Sequence, residues 1–180
     1  GKSAVRWVRT HAERLGIDPD RIAAGGGSAG GHVAACTAVL ESWDEPGEPT
    51  SVSAVPNALV LFNPALALAD YPGMTPRPDE RINSLPERCG TDPRNISPAH
   101  HVRPGQPPTV IFFGTDDDLL DGARYFDRQM HEAGNRCELL TYEGHKHGFF
   151  NFGRNGNGPF IETLAAADHF LISLGYTSGE

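Results

Sequence analysis

Apolar residues recur along this chain with two periods, one helical and one extended. Val5, Val8, Ala12 and Leu15 fall on one helical face, predicting a helix over 3–15 with Ser3 as its N-cap and Gly16 and Asp18-Pro19 as its stop. Continuous or near-continuous apolar runs follow at RIAAG (21–25), ALVLFN (58–63), TVIFFG (109–114) and CELLTYEG (137–144), each short enough for a strand. Between and after them stand helical stretches at about 29–40, 121–134 and 159–174. Strands apolar along their length and alternating with helices predict an α/β fold, a mostly parallel sheet covered on both faces, in one domain over 1–180. The Pro-rich stretch 64–108 has no strong period and reads as an insertion. In parallel sheets ligands and chemistry collect at the carboxyl ends of the strands. Those ends carry Gly25–Ser28, Gly114–Asp118 and Gly144–His147.

Composition narrows the function classes. A length of 180 residues suits one well-buried domain. The longest apolar runs are far too short to cross a bilayer, so no membrane span is expected. A net charge of -8 argues against a nucleic-acid partner, because phosphate binding needs a basic face. Cys36, Cys89 and Cys137 are odd in number and widely spaced, supporting neither a disulfide framework nor a zinc knuckle; Cys36 reads as a core thiol. Gly1-Lys2-Ser3 lacks the upstream glycines of a P-loop. The chain opens almost directly into a helix without signal-peptide regions, and the compartment stays unassigned.

The stretch Gly25-Gly-Gly-Ser-Ala-Gly30 carries two signatures at once. Gly25, Gly27 and Gly30 form G-x-G-x-x-G, a dinucleotide-binding pattern; Gly26, Ser28 and Gly30 form G-x-S-x-G, a nucleophile pattern. The first needs a second strand soon after the helix, ending in an acidic residue for a ribose. Here the helix runs into ESWDEPGEPTS instead. The second needs a serine on a strained strand-to-helix turn with small residues two positions either side, then an acid and a histidine after later strands. Asp116-Asp117-Asp118 and then His145 and His147 meet that order, so a Ser–acid–His hydrolase is expected.

GGGSAGGH, FFGTDDDLL and YEGHKHGFFNF resemble the three catalytic segments of the α/β-hydrolase superfamily, closest to esterase/lipase-like members related to hormone-sensitive lipase and acetyl esterases. The resemblance implies Ser28 as nucleophile, Asp117 as acid through Gly-Thr-x-Asp, and His147 as base through Gly-x-x-His-Gly-Phe. Asp116 and Asp118 are then turn residues, the alternative being that Asp118 or Asp121 caps the following helix, and His145 is a solvent-facing loop histidine. His32 is expected to pack or hydrogen-bond beside the site. Phe149, Phe150 and Phe152 line an acyl pocket or belong to the core. A metal site from His145, His147, His100 and His101 lacks a third ligand of suitable spacing, and no cofactor is expected.

Family members also have a preceding half-sheet and a His-Gly-Gly-type loop that donates to the oxyanion hole. Neither stands in this chain, which is similar to the C-terminal part of such an enzyme; the Ala29 N–H is the one donor that can be assigned. The strand at 21–25 would then have an unpaired edge, which predicts a homodimer through that edge. The expected reaction is hydrolysis of a small, short-acyl carboxylic ester through an acyl-enzyme. Its rivals are a prolyl-oligopeptidase-like serine peptidase and a catalytically impaired truncated domain.

Overall fold

The computed structural model describes residues 1–74 and 84–178. Its centre is a four-stranded, wholly parallel sheet of β1 (Ala23–Gly27), β2 (Ala58–Phe62), β3 (Thr109–Gly114) and β4 (Cys137–Tyr142), in the spatial order β1-β2-β3-β4. The helices are α1 (Lys2–Thr10), α2 (Ala12–Leu15), α3 (Ala29–Val39), the short α4 (Leu85–Cys89), α5 (Leu120–Glu132) and α6 (Gly158–Ser173). Among the described residues no helix is long and apolar enough to cross a membrane.

Side chains alternate across the sheet, and that alternation builds two cores. Leu59, Leu61, Ile111 and Phe113 point to the face covered by α3 (Ala34, Ala35, Ala38, Val39) and α5 (Leu120, Ala123, Phe126, Met130). Ala58, Val110 and Phe112 point the other way, onto Ala167 and Phe170 of α6 and onto Phe149. All six residues of β3 are buried, so this strand is the middle of the molecule. Fully burying a side chain such as Phe112 or Phe113 is worth roughly 1.5–3 kcal/mol, and both are completely enclosed.

Several expected boundaries move. The helix expected over 3–15 breaks at His11, whose ring stacks on Trp7 and whose Nδ1 lies 2.7 Å from the Trp7 carbonyl oxygen. Ser3 is not a cap: α1 begins one residue earlier, with Gly1 at its N-cap position. Leu15, expected on the buried face with Ala12, is 43% exposed, while Ala12 at the start of α2 is buried. The strand expected at 21–25 runs from 23 to 27, and β1 is the sheet edge, with Ala23 and Gly25 exposed. The segment 64–108 is more integrated than an insertion needs to be: Leu66 and Ala99 are buried in the α3–α5 core, with Ile96 and Val102 packed against it. Residues 75–83 of that stretch lie outside the described residues.

Candidate active site

The ends of the strands are stitched together one residue beyond the sheet. The Ser28 N–H donates to Phe62 O (2.9 Å), Asn63 N–H to Phe112 O (2.8 Å), and Thr115 N–H to Tyr142 O (2.9 Å). These bonds continue the parallel ladder and bring the first residues after β1, β2, β3 and β4 to one rim of the sheet.

Ser28 sits between β1 and α3 with φ 52° and ψ -117°. A side-chain-bearing residue held there stores about 1–3 kcal/mol of strain, which the strand and helix on either side must hold in place. The turn closes tightly: a Cβ on Gly26 would lie 2.7 Å from the Gly30 carbonyl carbon, and one on Gly31 would lie 2.8 Å from Gly26 O and 2.9 Å from Pro64 Cβ. Gly30 was expected to be small for the same reason, yet a Cβ there meets nothing within 4 Å. The steric need is met by Gly26 and Gly31, because it is the backbone of Gly30 that crowds the turn. Ala29 is the first residue of α3, so its N–H has no intrahelical carbonyl partner, and the residue is exposed beside Ser28.

Asp117 follows β3, and its side chain is 2% exposed. Three donors surround the carboxylate: the Leu119 N–H at 3.0 Å from Oδ1, Asn63 Nδ2 at 3.1 Å from Oδ2, and His147 Nδ1 at 2.7 Å from Oδ2. A buried carboxylate needs such a set, because each lone pair it loses to burial would otherwise go unsatisfied. His147 follows β4, and its Nε2 lies 2.9 Å from Ser28 Oγ. An ionised carboxylate only accepts, so His147 carries its proton on Nδ1 and its Nε2 accepts from the Ser28 hydroxyl. The loop bearing His147 reaches Asp117 because Gly114 has no side chain. A Cβ there would overlap His145 O at 2.0 Å, and the same carbonyl accepts from Asp116 N–H at 3.0 Å.

Ser28, Asp117 and His147 are thus brought into one hydrogen-bonded line. The other candidates go elsewhere. Asp116 and Asp118 are exposed, and Asp121 pairs with Arg124 at 3.1 Å. His145 is not solvent-facing but half-buried, stacked on Phe149, because the turn at Gly144 folds its ring inward. His32 Nδ1 donates to Ala65 O (2.8 Å), and its Nε2 faces Cys36 Sγ at 3.5 Å; burial lowers the imidazole's pKa and pushes the Cys36 thiol up to about 12. Phe149 is core, Phe150 packs on Phe62 and over Gly27, and Phe152 is 75% exposed against Phe160. His100 and His101 bond within the 70–101 segment, to Ser97, Asp70 O and Arg94 O. Among the described residues no three His, Cys, Asp or Glu side chains are grouped to hold a metal ion. A cleft of about 360 Å³ opens beside the imidazole, lined by Gly144, His145, Lys146, His147, Phe149, Arg154 and Asn155, with no acidic side chain on its walls.

Asn63 is the member of the site that sequence reasoning missed. It was read as the last residue of an apolar strand. The available signal was its position, since a polar residue closing ALVLF and preceding Pro64 occupies the same rim as Ser28.

Residues 1–151 match a family described as having the alpha/beta hydrolase fold. The chain belongs to that family. This α/β hydrolase is 29% identical over 185 residues to the probable carboxylic ester hydrolase LipM of Mycobacterium tuberculosis, a match covering 96% of this chain and 42% of LipM. Among solved structures it is similar to Thermogutta terrifontis esterase 2 phosphonylated by sarin (47% identity, TM-score 0.94, 99% of this chain and 66% of that one). It is likewise similar to the propionate-bound form of that organism's Est2 (48% identity, TM-score 0.88, 99% and 65%). The chain therefore spans less than half of LipM and slightly under two thirds of the solved esterase chains.

Proposed function

We infer that this α/β hydrolase cleaves small carboxylic esters through a covalent acyl-enzyme, with Ser28 as nucleophile, His147 as general base and acid, and Asp117 as the group that holds the imidazole tautomer. The observation that carries the reading is the unbroken line from Ser28 Oγ through His147 (2.9 Å) to Asp117 Oδ2 (2.7 Å). In the first step Ser28 Oγ bonds to the ester carbonyl carbon while His147 Nε2 takes the hydroxyl proton. The same proton then passes to the leaving alkoxide as the acyl–oxygen bond breaks. Water repeats the sequence on the acyl-enzyme, releasing the acid and restoring Ser28. The position of Ala29 at the start of α3, where its N–H lacks an intrahelical acceptor, supports its role as an oxyanion donor. No step requires a cofactor. A short acyl group is supported by the small acid held in the propionate-bound relative. The free edge of β1 supports a further element of the reading, pairing with a second copy of the chain.

The test is covalent labelling by a fluorophosphonate, alongside turnover of p-nitrophenyl acetate, p-nitrophenyl octanoate and an aminoacyl amide. Wild type is expected to label and to favour the acetate. Ser28→Ala should reduce labelling to background and turnover by about 10⁴-fold or more. Equal labelling of wild type and Ser28→Ala would remove the hydrolase assignment. Preferential cleavage of the amide would make the protein a peptidase.

A further inference from the structure

Asn63 is fully buried at the end of β2, and its φ is 33°, a region that Asn tolerates better than most residues. Its backbone N–H donates to Phe112 O, which fixes the residue between the Ser28 turn and the Asp117 turn. Its side-chain Nδ2 lies 3.1 Å from Asp117 Oδ2, the same oxygen that accepts from His147 Nδ1. The amide cannot be turned over, because that would aim its carbonyl oxygen at a buried carboxylate. In the orientation that donates, Asn63 Oδ1 is buried and has no partner among the described residues. An unpaired buried carbonyl and a positive φ both cost stability. Among the described residues the hydrogen bond that its side chain makes in return is the donation to Oδ2.

We propose that Asn63 is a positioning residue of this site: its amide anchors Asp117 Oδ2 in line with His147 Nδ1 and takes up part of that oxygen's negative charge. Asp117 then has one oxygen held by the Leu119 N–H and the other shared between two donors. Sharing matters for the base. Imidazolium is stabilised in proportion to the charge on the oxygen it faces, so a second donor on Oδ2 keeps His147 from being held in its protonated form. Asn63 thereby favours the neutral imidazole that accepts the Ser28 proton. This proposal rests on the reading of Ser28, His147 and Asp117 given above.

The titration of His147 in the intact chain, followed by NMR, tests it without needing turnover; the resonance is the one lost in His147→Gln. Asn63→Gly keeps the backbone at ease at positive φ and deletes the donor. Asn63→Leu deletes the donor while filling its volume. Both are expected to raise the His147 titration midpoint by about half a pH unit or more, by similar amounts although their stabilities differ. The acid limb of ester turnover should move with it. An unchanged or lowered midpoint in Asn63→Gly overturns the proposal, as does a shift in Asn63→Gly that a folded Asn63→Leu does not share. If Asn63→Leu does not fold, Asn63→Gly decides alone. Absence of fluorophosphonate labelling in wild type would strike the hydrolase reading instead, while the NMR titration would still decide whether Asn63 governs the Asp117–His147 pair.

Discussion

Gly26 and Gly30 flank Ser28 symmetrically in the sequence but not in space. The Cβ that Gly26 lacks would sit inside van der Waals contact of Gly30 and Gly31 backbone atoms, whereas the space beside Gly30 is open. Gly26→Ala is accordingly expected to destabilise the protein by about 1–3 kcal/mol, the usual cost of overpacking against rigid backbone. Gly30→Ala, in the first turn of α3, should be neutral or stabilising by up to about 1 kcal/mol. Urea unfolding of both variants measures the difference; equal destabilisation would mean that the turn is not closed as described. The G-x-S-x-G pattern marks where the turn lies, but which glycine is sterically required depends on the angle at which α3 leaves the sheet. Gly31, which that pattern does not include, is more constrained than Gly30 for the same reason.

At the scale of elements, α1 is tied to the acidic connection between α3 and β2 by charge. Arg6 is buried; its Nη2 lies 2.5 Å from Asp44, its Nη1 2.8 Å from Glu48, and its Nε donates to Val52 O. Hydrogen bonding from Arg6, opposed by burial and reinforced by Lys2, holds Asp44 below the ordinary carboxylate range. Glu48 is lowered as well, first by the Ser3 hydroxyl and, against the effect of burial, by Arg6. A carboxylate depressed in the folded state contributes stability that is present above its unfolded pKa and is lost as pH falls through the folded one. The thermal midpoint should therefore drop as pH is lowered below about 4, and Arg6→Met should lower the midpoint at neutral pH while flattening that acid dependence. A variant that melts with the wild-type pH profile would show that the network does not hold α1. The helical period announced an α1-like helix, but it also hid Arg6: the pattern counts apolar positions, and a cation buried by partners some forty residues away leaves no periodic trace.

For the whole molecule, the position of β1 at the edge of the sheet among the described residues has a measurable consequence. A free parallel edge invites pairing, so sedimentation at high micromolar concentration is expected to show a dimer that Ala23→Lys weakens; a monomer that behaves identically in both forms would end that idea. The order of strands and helices, the α/β class and the chemical types at the strand ends were legible because each depends on local periodicity, on turn residues and on the short segments that follow the strands. The identities of Ser28, the Asp116–Asp118 cluster and the His145–His147 pair as candidates follow from the same local signals. Local signals alone left the acid and the histidine open, and the family motifs around them named Asp117 and His147; neither showed that Asn63 joins them, that His145 folds onto Phe149, or that part of the 64–108 segment enters the core. Ser28 and His147 are 119 positions apart, Asp117 and Asn63 54 apart. Contacts at such separations are set by strand register and by the close approaches that Gly114, Gly26 and Gly31 permit. They exist only once the sheet has closed, because a hydrogen bond depends on tenths of an ångström that no one-dimensional pattern encodes.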